Sequence, residues 1–211
     1  MAGVIALGVL VSGAGTNLQA ILEAIQERRL DARVAVVIAN VPGAKALERA
    51  RAAGVETVTL DHKGFSDRAG FDEAAVAVLR AKGVELVVLA GFMRLLTRSF
   101  LDAFPLRVVN VHPALLPSFP GVSAQRQAIE HGVRVSGCTV HFVDGGTDTG
   151  AIIAQATVPV LDGDDETALT KRILAREHEL LPQVLQWFAE GRVTVEERPS
   201  ERPRVNVRRD A

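Results

Sequence analysis

The chain has 211 residues, and only one of them is cysteine, one is tryptophan and none is tyrosine. A single thiol, Cys138, excludes an intramolecular disulfide framework and suits a reducing cytoplasm. An aromatic share of 4% leaves little on which to stack single-stranded bases. An excess of one charge is missing as well: 24 basic and 25 acidic residues give a formal net charge of -1, so no overall basic field points to nucleic acid. The apolar run over 4–11 is too short to span a bilayer. It has no basic leader and no clear cleavage site, and a glycine-rich turn follows it, so it predicts a first strand and not a signal peptide. His62, His131 and His141 lack metal-ligand spacing, and one cysteine cannot build a thiolate site, so no metal is expected.

A hydrophobic share of 48% supports a sizeable core, and the absence of a clean linker predicts one domain over residues 1–197. Strand patterns at 4–11, 34–39, 56–60, 86–90 and 107–111 alternate with helical patterns at 18–29, 44–53, 71–82 and 98–104. Valine on both faces of the strands predicts a doubly wound α/β fold with a mostly parallel sheet. The pattern changes after Pro117. A short helix over 124–131, strands over 136–142 and 152–159, and a long helix over 165–190 follow. Pro182 predicts a kink in that helix, and Gly191 its end. From Arg198 onward the sequence has five arginines and two prolines, which predicts a basic, solvated, flexible tail. A nucleic-acid arm is the weaker reading of the same segment.

Chemistry concentrates at strand ends. Asn110 and His112 stand two apart on a strand that Pro113 stops, so they face the same way at its carboxyl end. In open α/β sheets ligands bind at that end. An amide and an imidazole together offer a donor and a proton carrier to one reacting group. A catalytic histidine needs a carboxylate partner, and the aspartate-glycine segment 144–150 offers Asp144 and Asp148; spacing does not choose between them. Segment 12–17, Ser-Gly-Ala-Gly-Thr-Asn, lies between the first strand and the first helix. Its glycines and helix-start amides suit a phosphate, against the plainer reading of a tight turn capped by Thr16. It is no Walker A loop, and Leu18 and Asn40 argue against a dinucleotide site. Phe92, Met93, Leu95 and Leu96 read as core or as a slot for a flat heterocycle. Glu177-His178 interrupts the apolar stripe of the last helix, and a solvated face is its default reading.

Taken together, segments 12–20, 48–54, 87–96, 110–117, 120–121 and 141–155, with Glu177-His178, resemble the folate-dependent glycinamide ribonucleotide formyltransferases of purine biosynthesis. The resemblance covers about the first 190 residues. It implies transfer of a formyl group from 10-formyltetrahydrofolate to the amine of glycinamide ribonucleotide. It implies catalysis by Asn110, His112 and Asp148. Gly15, Thr16, Asn17 and Glu177 would hold the ribonucleotide. Arg68, Met93, Arg94, Leu95, Leu96, Asn110, Val143 and Asp144 would frame the folate. It also implies small-molecule partners only, without nucleic acid or membrane, and a monomer or homodimer. The chain departs from the family at Ser123, where most members have histidine. The alternative is a 10-formyltetrahydrofolate deformylase. Such hydrolases share the three catalytic residues but have an extra N-terminal domain and, usually, a second histidine at the position of Pro113. Formyltransferases of initiator tRNA and of sugar nucleotides share the Asn-x-His motif but have extra C-terminal domains.

Overall fold

Every residue of strand β1 (Ile5–Val11) is buried, as a strand covered on both faces requires. Leu7, Val9 and Val11 point into one apolar layer and Leu10 into the other. This is the alternation that a pleated strand imposes. The computed structural model describes residues 3–198 and 202–208. Four further strands run parallel to β1 in one sheet: β2 (Ala32–Ala39), β3 (Thr57–Thr59), β4 (Leu86–Leu89) and β5 (Val108–His112). Two more, β6 (Val135–Phe142) and β7 (Ile152–Pro159), extend it antiparallel. The order is β3-β2-β1-β4-β5-β6-β7. The expected doubly wound, mostly parallel α/β sheet is present, and each expected strand and helix occurs within a few residues of its place.

Helices α1 (Thr16–Gln26), α2 (Lys45–Ala52), α5 (Ala124–Glu130) and α6 (Glu166–Ala189) contribute to one apolar layer. Helices α3 (Arg68–Ala81) and α4 (Arg98–Ala103) cover the other face. Asp165 begins α6, its carboxylate accepting the Ala168 amide at 2.7 Å. Helix α6 runs without a break through Pro182, which is buried. None of the helices among the described residues is long and apolar enough to cross a membrane.

The expectation of a solvated tail is corrected over 204–207. Strand β9 (Arg204–Val207) pairs antiparallel with β8 (Val193–Glu196), and Val193, Val195, Val205 and Val207 pack on the core. The valine alternation that builds this hairpin was masked in the sequence by its arginines and prolines. Two of those arginines are engaged within the chain: Arg208 donates to the Gly191 carbonyl, and Arg202 to the carbonyls of Asp148 and Thr149. Residues 199–201 and 209–211 of that segment lie outside the described residues.

One feature of the sheet positions the segment after β5. Thr139 on β6 is fully buried, and its hydroxyl donates to the Ala114 carbonyl at 2.7 Å while accepting the Leu116 amide at 3.0 Å. Gln155 on β7 donates to the Leu116 carbonyl at 2.9 Å and to the Thr139 hydroxyl at 3.0 Å. Two antiparallel strands thus pin the chain that leaves His112. Replacing the hydroxyl by a methyl group strands a buried amide and a buried carbonyl. Thr139→Val should therefore cost about 2–3 kcal/mol of stability, read from urea unfolding curves. An unchanged midpoint would show that these bonds do not hold the loop.

Candidate active site

The strand order reverses between β1 and β4, and the crevice there opens at the carboxyl ends of the strands. Ser12 ties the crevice together. Its amide donates to the Gly91 carbonyl at 3.1 Å, and its hydroxyl donates to Asn40 Oδ1 at 2.7 Å and accepts the Met93 amide at 2.9 Å. Two cavities meet at this point and share Gly91 and Met93. One, of about 540 Å³, has Asn110, His112, His141 and Asp148 on its wall. The other, of about 260 Å³, is walled by the turn 12–17.

Asn110 and His112 face the first cavity together, as their spacing on β5 predicts. His112 is 3% exposed. Its Nε2 lies 2.8 Å from the Phe119 carbonyl, and its Nδ1 lies 3.3 Å from Asp148 Oδ2. The carbonyl can only accept, so Nε2 carries the hydrogen. Burial lowers the His112 pKa below its ordinary 6.5; the Phe119 carbonyl and the Asp148 charge pull it upward without overcoming burial. Asp148 is itself half-buried, which works against its charge. The His141 ring, the Gly121 amide at 2.8 Å and His112 outweigh that penalty and hold its carboxyl below the usual range.

The choice left open by spacing is resolved by geometry. Asp144 Oδ1 accepts the Gly146 amide at 3.0 Å and the Thr149 hydroxyl at 2.6 Å, so this carboxylate closes the loop 144–149 on itself. Asp148 is the one that faces the imidazoles. Gly150 seats the loop tightly, since a Cβ there would meet the Phe142 carbonyl oxygen at 1.8 Å. His141 was missed in the sequence. It stands opposite Asn110 in the β5–β6 register, with Nε2 3.3 Å from Asn110 Nδ2 and 3.5 Å from Asp148 Oδ1. Its Nδ1 meets the Phe142 carbonyl at 2.8 Å. The only signal available was its place on a strand adjoining the Asn110 strand.

Met93, Arg94, Leu95, Leu96, Val143 and Asp144 all reach the first cavity. Met93 and Leu95 are 74% and 54% exposed, an apolar lip of the kind that marks a ligand surface. The Arg94 guanidinium lies 5.0 Å from the centre of the Phe71 ring. Arg68 stands apart: it is exposed in the first turn of α3 and is not on this cavity's wall. Ser123 is on the wall, at the start of α5 with φ of 57°.

At the turn 12–17, Gly15 and not Thr16 caps α1, with φ of 71° and no side-chain cap. A Cβ at Gly15 would lie 2.5 Å from Ala46 Cβ, so this glycine is required by packing on α2. The first amides of α1 have no helical partner and remain available to an anion. The Asn17 side chain is otherwise engaged, donating to Glu177 Oε2 at 2.8 Å. Glu177 is 6% exposed, so the solvated-face reading is overturned, and burial pushes its carboxyl up to about 7. Asn17 Oδ1 is buried and has no hydrogen-bond partner among the described residues. Glu177 reaches neither of the two cavity walls. Burial also pushes the Cys138 thiol up to about 12, which removes it as a nucleophile. No group of three His, Cys, Asp or Glu side chains that could hold a metal ion occurs among the described residues.

Comparison with known proteins places this geometry in context. The sequence profile described as formyl transferase matches residues 6–185. The chain is 42% identical over 189 residues to phosphoribosylglycinamide formyltransferase of Escherichia coli strain K12, covering 90% of this chain and 89% of that one. It is 46% identical over 187 residues to the trifunctional purine biosynthetic protein adenosine-3 of Drosophila melanogaster, and there it spans 14% of the relative's length. The crystal structure of glycinamide ribonucleotide transformylase 1 from Symbiobacterium toebii superposes with a TM-score of 0.93 at 53% identity, over 97% of this chain and 94% of that one. On the profile match, the sequence identity and the shared architecture, the chain belongs to the formyl transferase family.

Proposed function

We propose that the chain transfers a formyl group from 10-formyltetrahydrofolate to the primary amine of glycinamide ribonucleotide, in purine biosynthesis. The observation that carries this reading is the meeting of Asn110, His112 and Asp148 on one cavity wall, next to a helix-start turn suited to a phosphate. The names of the relatives agree with transfer and not with the hydrolase alternative. The catalytic unit spans residues 1–197, with the strand at 204–207 added to it. Its partners are small molecules, it needs no nucleic acid, it works as a monomer or homodimer, and it acts in the cytoplasm.

The cavity suits the folate. Its lip of Met93 and Leu95 offers apolar surface to a flat heterocycle, with Arg94, Leu96, Val143 and Asp144 around it. Arg68 serves the outer part of the folate from the surface. When bound, this co-substrate supplies the formyl carbon. The backbone amides of Gly15, Thr16 and Asn17 hold the ribonucleotide phosphate. Glu177 and the unpartnered Asn17 Oδ1 receive a ribose hydroxyl. Asn110 donates an amide hydrogen to the oxygen that gains charge as the amine adds. His112 Nε2 exchanges its Phe119 carbonyl for that stronger acceptor. One such donor contributes on the order of 3 kcal/mol at the transition state. The proton shed by the amine passes to the gap between His112 Nδ1 and Asp148 Oδ2, and from there to the nitrogen that leaves. Addition of the amine forms the new carbon–nitrogen bond, collapse of the tetrahedral species breaks the old one, and the proton lost by the amine ends on the leaving nitrogen.

The deciding assay follows formyl transfer to glycinamide ribonucleotide, with formate release measured in the absence of the amine. Product only with the amine supports the reading; formate release at a comparable rate without it would sink it. Asn110→Ala and His112→Ala should each lower kcat by on the order of 10²–10³-fold, and a fully active His112→Ala would remove His112 from the mechanism. The Asp148 charge raises the His112 pKa, so its removal must lower that pKa further. Asp148→Asn should thus move the His112 titration, followed by NMR, to lower pH. Glu177 gives a stability test. Its folded pKa of about 7 lies above its ordinary 4.5, so the folded state keeps a proton that the unfolded chain releases, and stability falls as pH rises through that window. The loss amounts to about 3 kcal/mol by pH 7. Glu177→Gln should therefore melt above the parent at pH 8, match it near pH 4.5, and raise KM for the ribonucleotide alone. Parallel pH–melting curves for the two proteins would rule this out.

A further inference from the structure

Asp148 has its backbone at φ of 55°, the left-handed region that aspartate tolerates better than most residues but still disfavours. Its carboxylate is held from the front by the two imidazoles and the Gly121 amide. Its backbone is held from behind by a residue 54 positions later. Arg202 Nε donates to the Thr149 carbonyl at 2.6 Å, and Arg202 Nη2 donates to the Asp148 carbonyl at 2.9 Å. One guanidinium thus grips two successive carbonyls of the loop, which a rigid planar fork can do and an ammonium cannot. Arg202 does not hang from a loose end. Strand β9 starts two residues on, is paired with β8, and sinks Val205 and Val207 against the core. Arg192 fastens the far end, its Nε donating to the Arg208 carbonyl at 2.6 Å.

We propose that Arg202 is a positioning residue for the reaction: the C-terminal hairpin presents its guanidinium to the loop at Asp148 and Thr149 and so keeps the Asp148 carboxylate aimed at His112 and His141. The proposal rests on the catalytic reading of Asp148 above. With Arg202 absent, the carbonyls of Asp148 and Thr149 lose the side-chain hydrogen bonds that fix that peptide, and only the carboxylate contacts remain. The carboxylate then drifts relative to His112 Nδ1, and a drift of about 1 Å can cost as much as 10²-fold in rate.

The test uses the full chain and the variants Arg202→Ala, Arg202→Lys and, as a control for loss of charge, the exposed Arg204→Ala. Steady-state kinetics are run below the melting temperature of every variant. Amide hydrogen exchange is followed at Gly121, whose N–H is bonded to Asp148 Oδ2. Arg202→Ala should lose about 10- to 100-fold in kcat, with both KM values within about twofold of the parent, and should exchange the Gly121 amide faster. Arg202→Lys should fall between, and Arg204→Ala should match the parent in both readouts. Parent-like kcat in Arg202→Ala, or full kcat in Arg202→Lys, overturns the proposal. If the parent itself does not transfer formyl, the functional reading fails. The exchange measurement still judges Arg202: unchanged protection of Gly121 in Arg202→Ala overturns the strut.

Discussion

An ionised carboxylate set 3.3 Å from one buried imidazole and 3.5 Å from another is the constraint to which the rest of this molecule answers. A buried charge survives only with partners, because desolvation alone costs several kcal/mol. Asp148 has two rings and an amide to compensate. His112 shows the other side of that balance. Its two acceptors favour a charged ring, yet burial holds its pKa below the ordinary value. In the proposed reaction a ring locked permanently as imidazolium could not take the proton from the amine.

The sheet explains how such a group of side chains can exist. Five parallel strands deliver chain ends to one edge, where β1 supplies the anion turn, β4 the apolar lip and β5 the amide and imidazole. In the antiparallel β5–β6 register the residue facing Asn110 is His141, and the loop that leaves β6 beside Val108 turns back to set Asp148 3.3 Å from His112. The change of pattern after Pro117 is therefore more than an appendage to the parallel half of the sheet. The reversal supplies the second imidazole, the aspartate, and through Thr139 and Gln155 the pins that hold the catalytic strand end.

Local periodicity carried most of the fold. Valine-rich runs bounded by glycine and proline specify strands, and the two-residue spacing of Asn110 and His112 is enough to place both on one face. What stayed illegible depends on contacts between distant segments. His141 looks like any polar residue on a strand until the partner strand is known. Asp144 and Asp148 are equivalent in composition, and only the loop's own hydrogen bonds separate a structural carboxylate from a reactive one. Glu177 reads as solvated because a glutamate on a helix usually is; its burial comes from packing of α6 on α1, where Asn17 meets it across 160 residues of sequence. The tail was misread for the same reason, since two short alternating runs count as a hairpin only once they are paired.

Backbone strain gathers where these segments meet. Five described residues other than glycine have positive φ, and three of them, Phe119, Ser123 and Asp148, belong to the site. Each costs about 1–3 kcal/mol unless its surroundings impose it. Each has such surroundings: the Phe119 carbonyl is engaged by His112, Ser123 opens α5, and Asp148 is gripped by side chain and backbone. The Phe119 bond is the informative one. It occupies the N–H that the proposed reaction would use, so on that reading the segment carrying Phe119 gives way as charge builds on the substrate, and its positive φ makes the resting position costly to keep. Strain and the hydrogen bond thus oppose each other at one residue, and a developing oxyanion that competes for the His112 N–H shifts that balance.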